Sequence, residues 1–315
     1  MKHATQLIVE RLSKAQKEKQ RAAAMANLEL PLWGEAKRGL PNVLARSALF
    51  NARRNGDEGS LDKEKDKEKV RTPASSDSTE ATSTREYLRN VPIASLSNYK
   101  ITYRGEELRQ DDASVFMQLL HLARTFPMGA KVPFTAYSMI KSLGWGVSGL
   151  TYKRLRECIE RLSANTVKIQ MTDGSAGYGK SLVRSFAWKD DASGETLSNW
   201  VVEFEPEILA LFAGSTYTLI EWQERRQIGS RATLALWLHS FLATHEEPMA
   251  LSVGKYYELS ESRCKLLYHF RGQLKQALER LMKIGFVESF EITKNDLVNI
   301  RLRPRHARLQ QAATT

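Results

Sequence analysis

RCKLLYHFRGQLKQALERLMKIGFVESFEITKNDLVNIRLR, residues 263–303, changes its hydrophobic period once. Leu267, Phe270, Leu274, Leu278 and Leu281 recur at spacings of 3, 4, 4 and 3, which puts them on one face of a long helix. FVESFEI and LVNIRLR then alternate apolar and polar residues around the turn TKND, the pattern of a two-stranded ribbon. Just upstream, RATLALWLHSFLATH predicts a helix with Leu234, Trp237, Leu238, Phe241 and Leu242 inward. MALSV is a short extended piece and GKYYELSES a short helix. Helix, strand, helix, long helix and ribbon, in that order, make a winged helix-turn-helix.

Further toward the N-terminus the same plan runs once before. YKITYRGEEL reads as a small hairpin turning at Arg104 and Gly105, and Asp111 and Asp112 cap the helix ASVFMQLLHLARTF. KVPFT is a strand, AYSMIKSLG a short helix closed by Gly144, and LTYKRLRECIERLSANT a long helix with Leu155, Cys158, Ile159 and Leu162 on one face. VKIQMT, SLVRSFAW and WVVEFEPEI are strand patterns. The expected fold class is α+β, with two tandem winged helix-turn-helix domains at residues 87–222 and 223–308 and a tail at 309–315. Residues 51–86, with the run DKEKDKEK and many Ser and Thr, read as a solvated, disordered linker. Residues 1–50 read as a flexible N-terminal arm, polar helix or disordered over 1–27. Within it VLARSALFNARR is expected to form one short amphipathic helix with Leu44, Ala48 and Leu49 inward. LELPLW, residues 28–33, places Leu30, Leu32 and Trp33 around Pro31, which forbids a continuous helix. Such a segment is either docked on its own domain or offered to another protein.

A chain of 315 residues with a net charge of +11 raises the prospect of nucleic acid. Residues 262–308 hold eleven Lys and Arg against four Asp and Glu, so much of the excess lies at this end. No apolar run reaches the roughly 20 residues of a membrane helix, and Leu7, Ile8 and Val9 are too short a run for a signal-peptide core. The expectation is a cytoplasmic protein with no membrane partner. Cys158 and Cys264 read as core residues in a reducing compartment, with no zinc spacing.

No catalytic constellation emerges, so no enzyme activity, metal or cofactor is expected. DGSAGYGKS lacks the phosphate-loop spacing before Lys180 and sits between strands. His239 and His245 are six apart, which does not make a helical metal pair. The acidic pairs Glu106/Glu107, Asp111/Asp112, Asp190/Asp191 and Glu246/Glu247 read as solvated caps and turns. A relaxase or nuclease would need metal-binding histidines or a tyrosine near them, and neither cluster is present.

With its apolar stripe turned to the core, the C-terminal long helix is left with Arg263, Lys265, Tyr268, His269 and Arg271 on its other side. Arg and Lys reach guanine edges and phosphates, so this face is expected to read DNA. Lys294 at the ribbon tip, with Arg301 and Arg303 outward and Arg305 and Arg308 following, adds backbone contacts. Tyr152, Lys153, Arg154 and Arg156 occupy the similar place in the first copy, although Glu157 and Glu160 follow quickly.

The stretches LPNVLARSALFNARRN, YKITYRGEELRQDD, FTAYSMIKSLGWGVSG, LFAGSTYTLIEW and HEEPMALSV, in this order, resemble the TrfA-type plasmid replication initiators. The resemblance implies two winged-helix domains that bind direct repeats (iterons) at a plasmid origin and open an adjacent AT-rich element, with contact to its single strands. It further implies recruitment of the host replicative helicase, a DnaA-type initiator and the sliding clamp, and a homodimer through the first domain that competes with repeat binding. The family carries a clamp-binding motif of the form Gln-Leu-Ser-Leu-Phe upstream of this region. Here Glu29, Leu30, Pro31, Leu32 and Trp33 stand in that place, with Glu29 replacing Gln, Pro31 replacing Ser and Trp33 replacing Phe. A transcriptional repressor binding operator DNA is the alternative reading, since it needs the basic face but no clamp motif.

Overall fold

The computed structural model describes residues 29–53, 85–96, 98–171, 178–189, 196–212 and 216–304. The expectations for residues 1–28, for the linker at 54–84, for Asp190/Asp191 and for Arg305, Arg308 and the tail fall outside these residues. Residues 29–53 are not a free arm. Strand β1 (Lys37–Pro41) pairs antiparallel with Tyr217–Glu221, in register from Lys37 opposite Glu221 to Pro41 opposite Tyr217. A helical turn α1 (Asn42–Ala45) follows, then β2 (Phe50–Asn51), which runs parallel to Leu108–Arg109. VLARSALFNARR is therefore one helical turn and a strand rather than a single helix. Its Val43, Leu44, Ala48, Leu49 and Phe50 are all buried, and that burial is held by pairing partners distant in sequence.

The first repeat of the plan begins with β3 (Tyr87–Ile93) and β4 (Tyr99–Glu106). β4 is one continuous strand rather than a hairpin turning at Arg104. It pairs with β3 on one side and with Thr166–Met171 on the other once the chain returns. Gly105 lies at φ +142°, and a Cβ there would sit 2.9 Å from the Tyr103 hydroxyl and 3.2 Å from the Asn165 Cα, so this position needs glycine. β5 (Leu108–Arg109) leads into α2 (Gln110–Ala123), whose Val115, Phe116, Leu119 and Leu120 are buried. β6 (Val132–Phe134), α3 (Ala136–Leu143) and α4 (Gly149–Ser163) come next. Thr135 Oγ1 accepts from the Ser138 amide and Ser148 Oγ from the Thr151 amide, caps of about 1 kcal/mol each. Gly144 ends α3 in the left-handed conformation. β7 (Thr166–Met171) and β8 (Tyr178–Lys180) complete a four-stranded sheet in the order β3-β4-β7-β8. β9 (Ser185–Lys189) and β10 (Thr196–Glu203) join β6 in a second sheet, and β11 (Tyr217–Glu221) receives β1.

The second repeat follows α5 (Trp222–Ile228). It consists of α6 (Thr233–Leu242), β12 (Leu251–Ser252), α7 (Val253–Ser260), α8 (Leu267–Lys283), β13 (Val287–Ile292) and β14 (Leu297–Leu302). Trp237, Phe241, Tyr256, Phe270, Leu274, Leu278, Leu281 and Phe286 fill its core. The architecture is mixed α and β throughout. α8 begins at Leu267, after an N-cap at Leu266, so Arg263 and Lys265 precede the helix. Leu267, expected in the core, is 43% exposed, because the stripe that is buried starts only at Phe270.

Two devices join the repeats. The segment 46–53 hydrogen-bonds the second repeat: Arg46 to Thr244 Oγ1 and O (2.8 and 2.6 Å), Trp237 Nε1 to Ser47 O, Thr233 Oγ1 to Ala52 O and Ala52 N to Ser260 O. Gln110 Nε2 at the start of α2 donates to Phe50 O in the same segment. Arg225 on α5 is the second device. Its guanidinium donates to Gln110 Oε1 and Ser114 Oγ of α2 and to Leu236 O and Ser240 Oγ of α6. Burial pushes its pKa down to about 9.

Candidate nucleic-acid interface

α8 turns Phe270, Leu274, Ala277, Leu278 and Leu281 inward, which leaves Tyr268, Gly272 and Lys275 along its outer side. Lys265 and His269 are exposed at its start, and the Tyr268 and His269 rings meet edge to face at 5.6 Å. Arg271 is not a free reader. Its Nε donates to Asp296 Oδ1 at 2.9 Å and its Nη2 to Ile292 O at 3.2 Å. That bond ties the helix to the β13–β14 turn, where Lys294 is exposed. Arg301, facing out from β14, lies 3.5 Å from Glu288, and Arg303 is half-buried. Arg263 projects from the loop before α8 and is paired with Glu86 at 2.5 Å. The basic face expected from the sequence is thus assembled from a helix start and a hairpin, with three of its arginines, Arg263, Arg271 and Arg301, paired with carboxylates.

In α4 the expected side chains are more committed. The Arg154 guanidinium stacks 4.1 Å over the Trp145 ring and reaches Asp111 at 3.5 Å. Arg156 stacks 4.4 Å over Trp188 and lies 3.6 Å from Glu160. Tyr152 packs half-buried against the core, and Lys153 stays exposed. The exposed side chains of α4 include Leu150, Lys153 and Glu160, opposite the buried Leu155, Cys158, Ile159 and Leu162. Leu150 was legible as outward, since it falls off the apolar stripe, but a leucine there attracts no attention in a search for charge.

Asp112 does cap α2, its Oδ2 accepting from the Arg109 amide at 2.8 Å, but the acidic groups here are buried in ion pairs rather than solvated. Arg85 holds Asp111 at 3.0 Å and Asp112 at 2.5 Å, Arg161 reaches Asp112 at 3.0 Å, and Arg53 reaches Glu107 at 2.5 Å and Glu261 at 3.1 Å. Asp112 and Glu107 are fully buried. Against burial, which raises it, Arg85, Arg154 and Arg161 hold the Asp111 carboxyl well below the usual range. Burial and these carboxylates push the neighbouring Cys158 thiol up. The guanidiniums come from positions remote in sequence, so spacing alone showed the cap and not the ion pairs. Lys180 is likewise committed, to Glu205 and Glu207. His239 Nε2 meets Glu224 at 3.0 Å.

A family model described as TrfA protein matches residues 75–302, well over half of the chain. The chain belongs to the TrfA family. It is 28% identical to the plasmid replication initiator protein TrfA of Escherichia coli over 292 residues, 92% of this chain and 68% of that one. The crystal structure of RctB domains 2-3 superposes with a TM-score of 0.48 at 14% identity, covering 72% of this chain and 95% of that one. A selenomethionine derivative of domains 2 and 3 of RctB gives 0.47 at 15% identity, covering 70% and 92%. No described helix is long and apolar enough to cross a membrane.

Within this TrfA-family chain the segment Glu29–Trp33 forms neither helix nor strand, and it is docked. Leu30 is buried, and Trp33, 7% exposed, stacks on Phe212 with ring centroids 6.1 Å apart. Trp33 Nε1 donates to His121 Nδ1 at 3.0 Å, while His121 Nε2 meets Glu35 at 3.0 Å. Burial, Arg38 and Arg124 push the His121 pKa down to about 4 against the pull of Glu35, so the ring is neutral and accepts the indole proton. Leu32 alone of the three large apolar side chains is offered to solvent, at 75% exposed. Leu32 and Trp33 therefore do not form a joint free anchor.

Proposed function

We propose that this chain initiates replication of a plasmid by binding direct repeats at its origin through two winged helix-turn-helix units, residues 87–222 and 223–308. Membership of the TrfA family supports the initiator role, since the curated relative is a plasmid replication initiator. The observation that carries DNA binding is the Arg271–Asp296 bond. It holds the hairpin tip, with Lys294, against the first turns of α8, with Lys265, Tyr268 and His269, so that helix and wing project together. In this reading α8 enters a major groove while Lys294 and Arg301 lie along the phosphates. Lys153, at the start of α4, serves the neighbouring groove. Arg154, Arg156, Arg263 and Arg271 act mainly by positioning these elements through their carboxylate partners.

Opening of an AT-rich flank and recruitment of host helicase belong to the same proposal, as does engagement of the sliding clamp. Clamp contact through Glu29–Trp33 would first require Leu30 and Trp33 to leave their core sites; without that, Leu32 is the group available. A footprint on origin DNA from the replicon encoding the protein tests the reading. Ordered protection of repeats with permanganate reactivity in the flank is expected. Protection without opening supports a repressor, and no sequence-specific protection overturns DNA recognition.

A further inference from the structure

Both long helices begin with exposed apolar side chains that the fold does not use. In α4 the first turn carries Leu150, 77% exposed, with Val147 exposed just before its Ser148 cap. In α8 it carries Leu267 and Tyr268, the latter 78% exposed, with Leu266 exposed at the N-cap. A single exposed leucine needs no explanation. Their recurrence in the first turn of the corresponding helix of each repeat does, because these are the turns that meet base edges in a helix-turn-helix. The nearby arginines are held elsewhere: Arg154 over Trp145 and near Asp111, Arg156 over Trp188, Arg263 by Glu86 and Arg271 by Asp296. The apolar groups stand instead beside exposed Lys153, Lys265 and His269, a setting suited to a polyanion and poorly suited to a dry protein interface.

Gly272 points the same way. It lies on the outer side of α8, one turn after Tyr268, where a Cβ would meet no atom within 4 Å. Glycine inside a helix is unfavourable relative to alanine. No neighbour among the described residues requires it there, whereas a duplex pressed against the helix backbone would. Among base edges, the major-groove group that takes an apolar partner is the thymine C5-methyl.

Resting on the DNA-binding reading above, we infer that Leu150 in the first repeat and Tyr268, with Leu266, in the second recognise thymine methyl groups. On this inference a substantial part of the specificity is apolar rather than carried by arginine–guanine pairs. The recognised repeat then carries thymines at two positions about one helical turn apart.

The test starts with duplexes selected from a random-sequence library by the full-length chain. The best is resynthesised with deoxyuridine at individual thymines, which removes the methyl alone. Affinity is expected to fall about fourfold for each recognised methyl, the value of one buried carbon. Leu150→Ala and Tyr268→Ala should each lower affinity for the thymine duplex and abolish the discrimination at one of the two positions. Both residues are exposed, so melting temperatures should stay unchanged. Equal affinity for thymine and uracil duplexes overturns the inference while leaving sequence-specific binding intact. So do variants that keep the discrimination, or that lose only self-association. Failure of the library to yield any preferred sequence overturns the DNA-binding reading itself.

Discussion

Trp33→Ala removes an indole that stacks on Phe212 and lies so close to Gly39 that a Cβ there would come within 2.8 Å of it. The variant should lose about 3–5 kcal/mol in denaturant unfolding. Leu32→Ala, one residue away but exposed, should stay within about 0.5 kcal/mol of the parent. Comparable losses at both positions would contradict the docked geometry. The His121 ring beneath Trp33 sets a pH dependence. Its folded pKa is pushed down to about 4, below the 6.5 of an unperturbed histidine. The unfolded chain therefore takes up this proton first as pH falls. The contribution of His121 is fully present above about pH 6.5, is lost between there and pH 4, and changes no further below that. Glu35, whose carboxyl is lowered first by its hydrogen bond with His121, shifts stability in the same direction. His121→Asn should flatten the stability profile between pH 6.5 and 4. An unchanged slope would remove His121 as its source.

Among the secondary-structure elements, α8 and the β13–β14 hairpin should behave as one DNA-binding unit. Lys294→Ala and Arg301→Ala are expected to weaken binding to specific and random duplexes alike. Removing one phosphate-neutralising cation should reduce the magnitude of the log–log salt slope by about 0.9. Arg271 separates direct reading from positioning. If its role is to hold the turn through Asp296, Asp296→Asn should weaken binding as Arg271→Ala does, although it removes a negative charge. Tighter binding by Asp296→Asn would mean that Arg271 touches DNA and that Asp296 competes for it.

Taken together, the two repeats share more than a linker. Segment 46–53 bonds to Thr233, Trp237, Thr244 and Ser260 of the second repeat, and β2 pairs with β5 of the first. Arg225 adds a buried guanidinium between α2 and α6, bonded there to neutral oxygens. Arg225→Ala leaves several buried acceptors unpaired and should cost about 3 kcal/mol. Calorimetry is expected to show one transition for the parent and a broadened or divided one for this variant, as the repeats melt separately. A fragment beginning at Glu221 lacks segment 46–53 and the first repeat, so it should bind DNA far more weakly than the full chain, through loss of linkage and of support to α6. Parent-like affinity in that fragment would show that the second repeat suffices.

Helical and strand periodicity is local. The order of helices α2 to α4 and α6 to α8, the strands β6, β7, β9, β10, β13 and β14, the buried stripe of α4 and that of α8 from Phe270 to Leu281, the Gly144 terminus and the basic C-terminal end could therefore be read along the chain alone, whereas β3, β8, β11 and α5 could not. Stretches spread from Leu40 to Val253 also pointed to the TrfA family. Long-range pairing is not written in any period. Folding in three dimensions was needed to join β1 to β11, to make β4 a continuous inner strand and to lay residues 46–53 between the repeats. It also set the state of the charges. Arg154, Arg156, Arg263 and Arg271 look like free readers in one dimension. Trp145, Trp188, Glu86 and Asp296 claim them in three, since a guanidinium takes whichever ring or carboxylate the fold brings within reach.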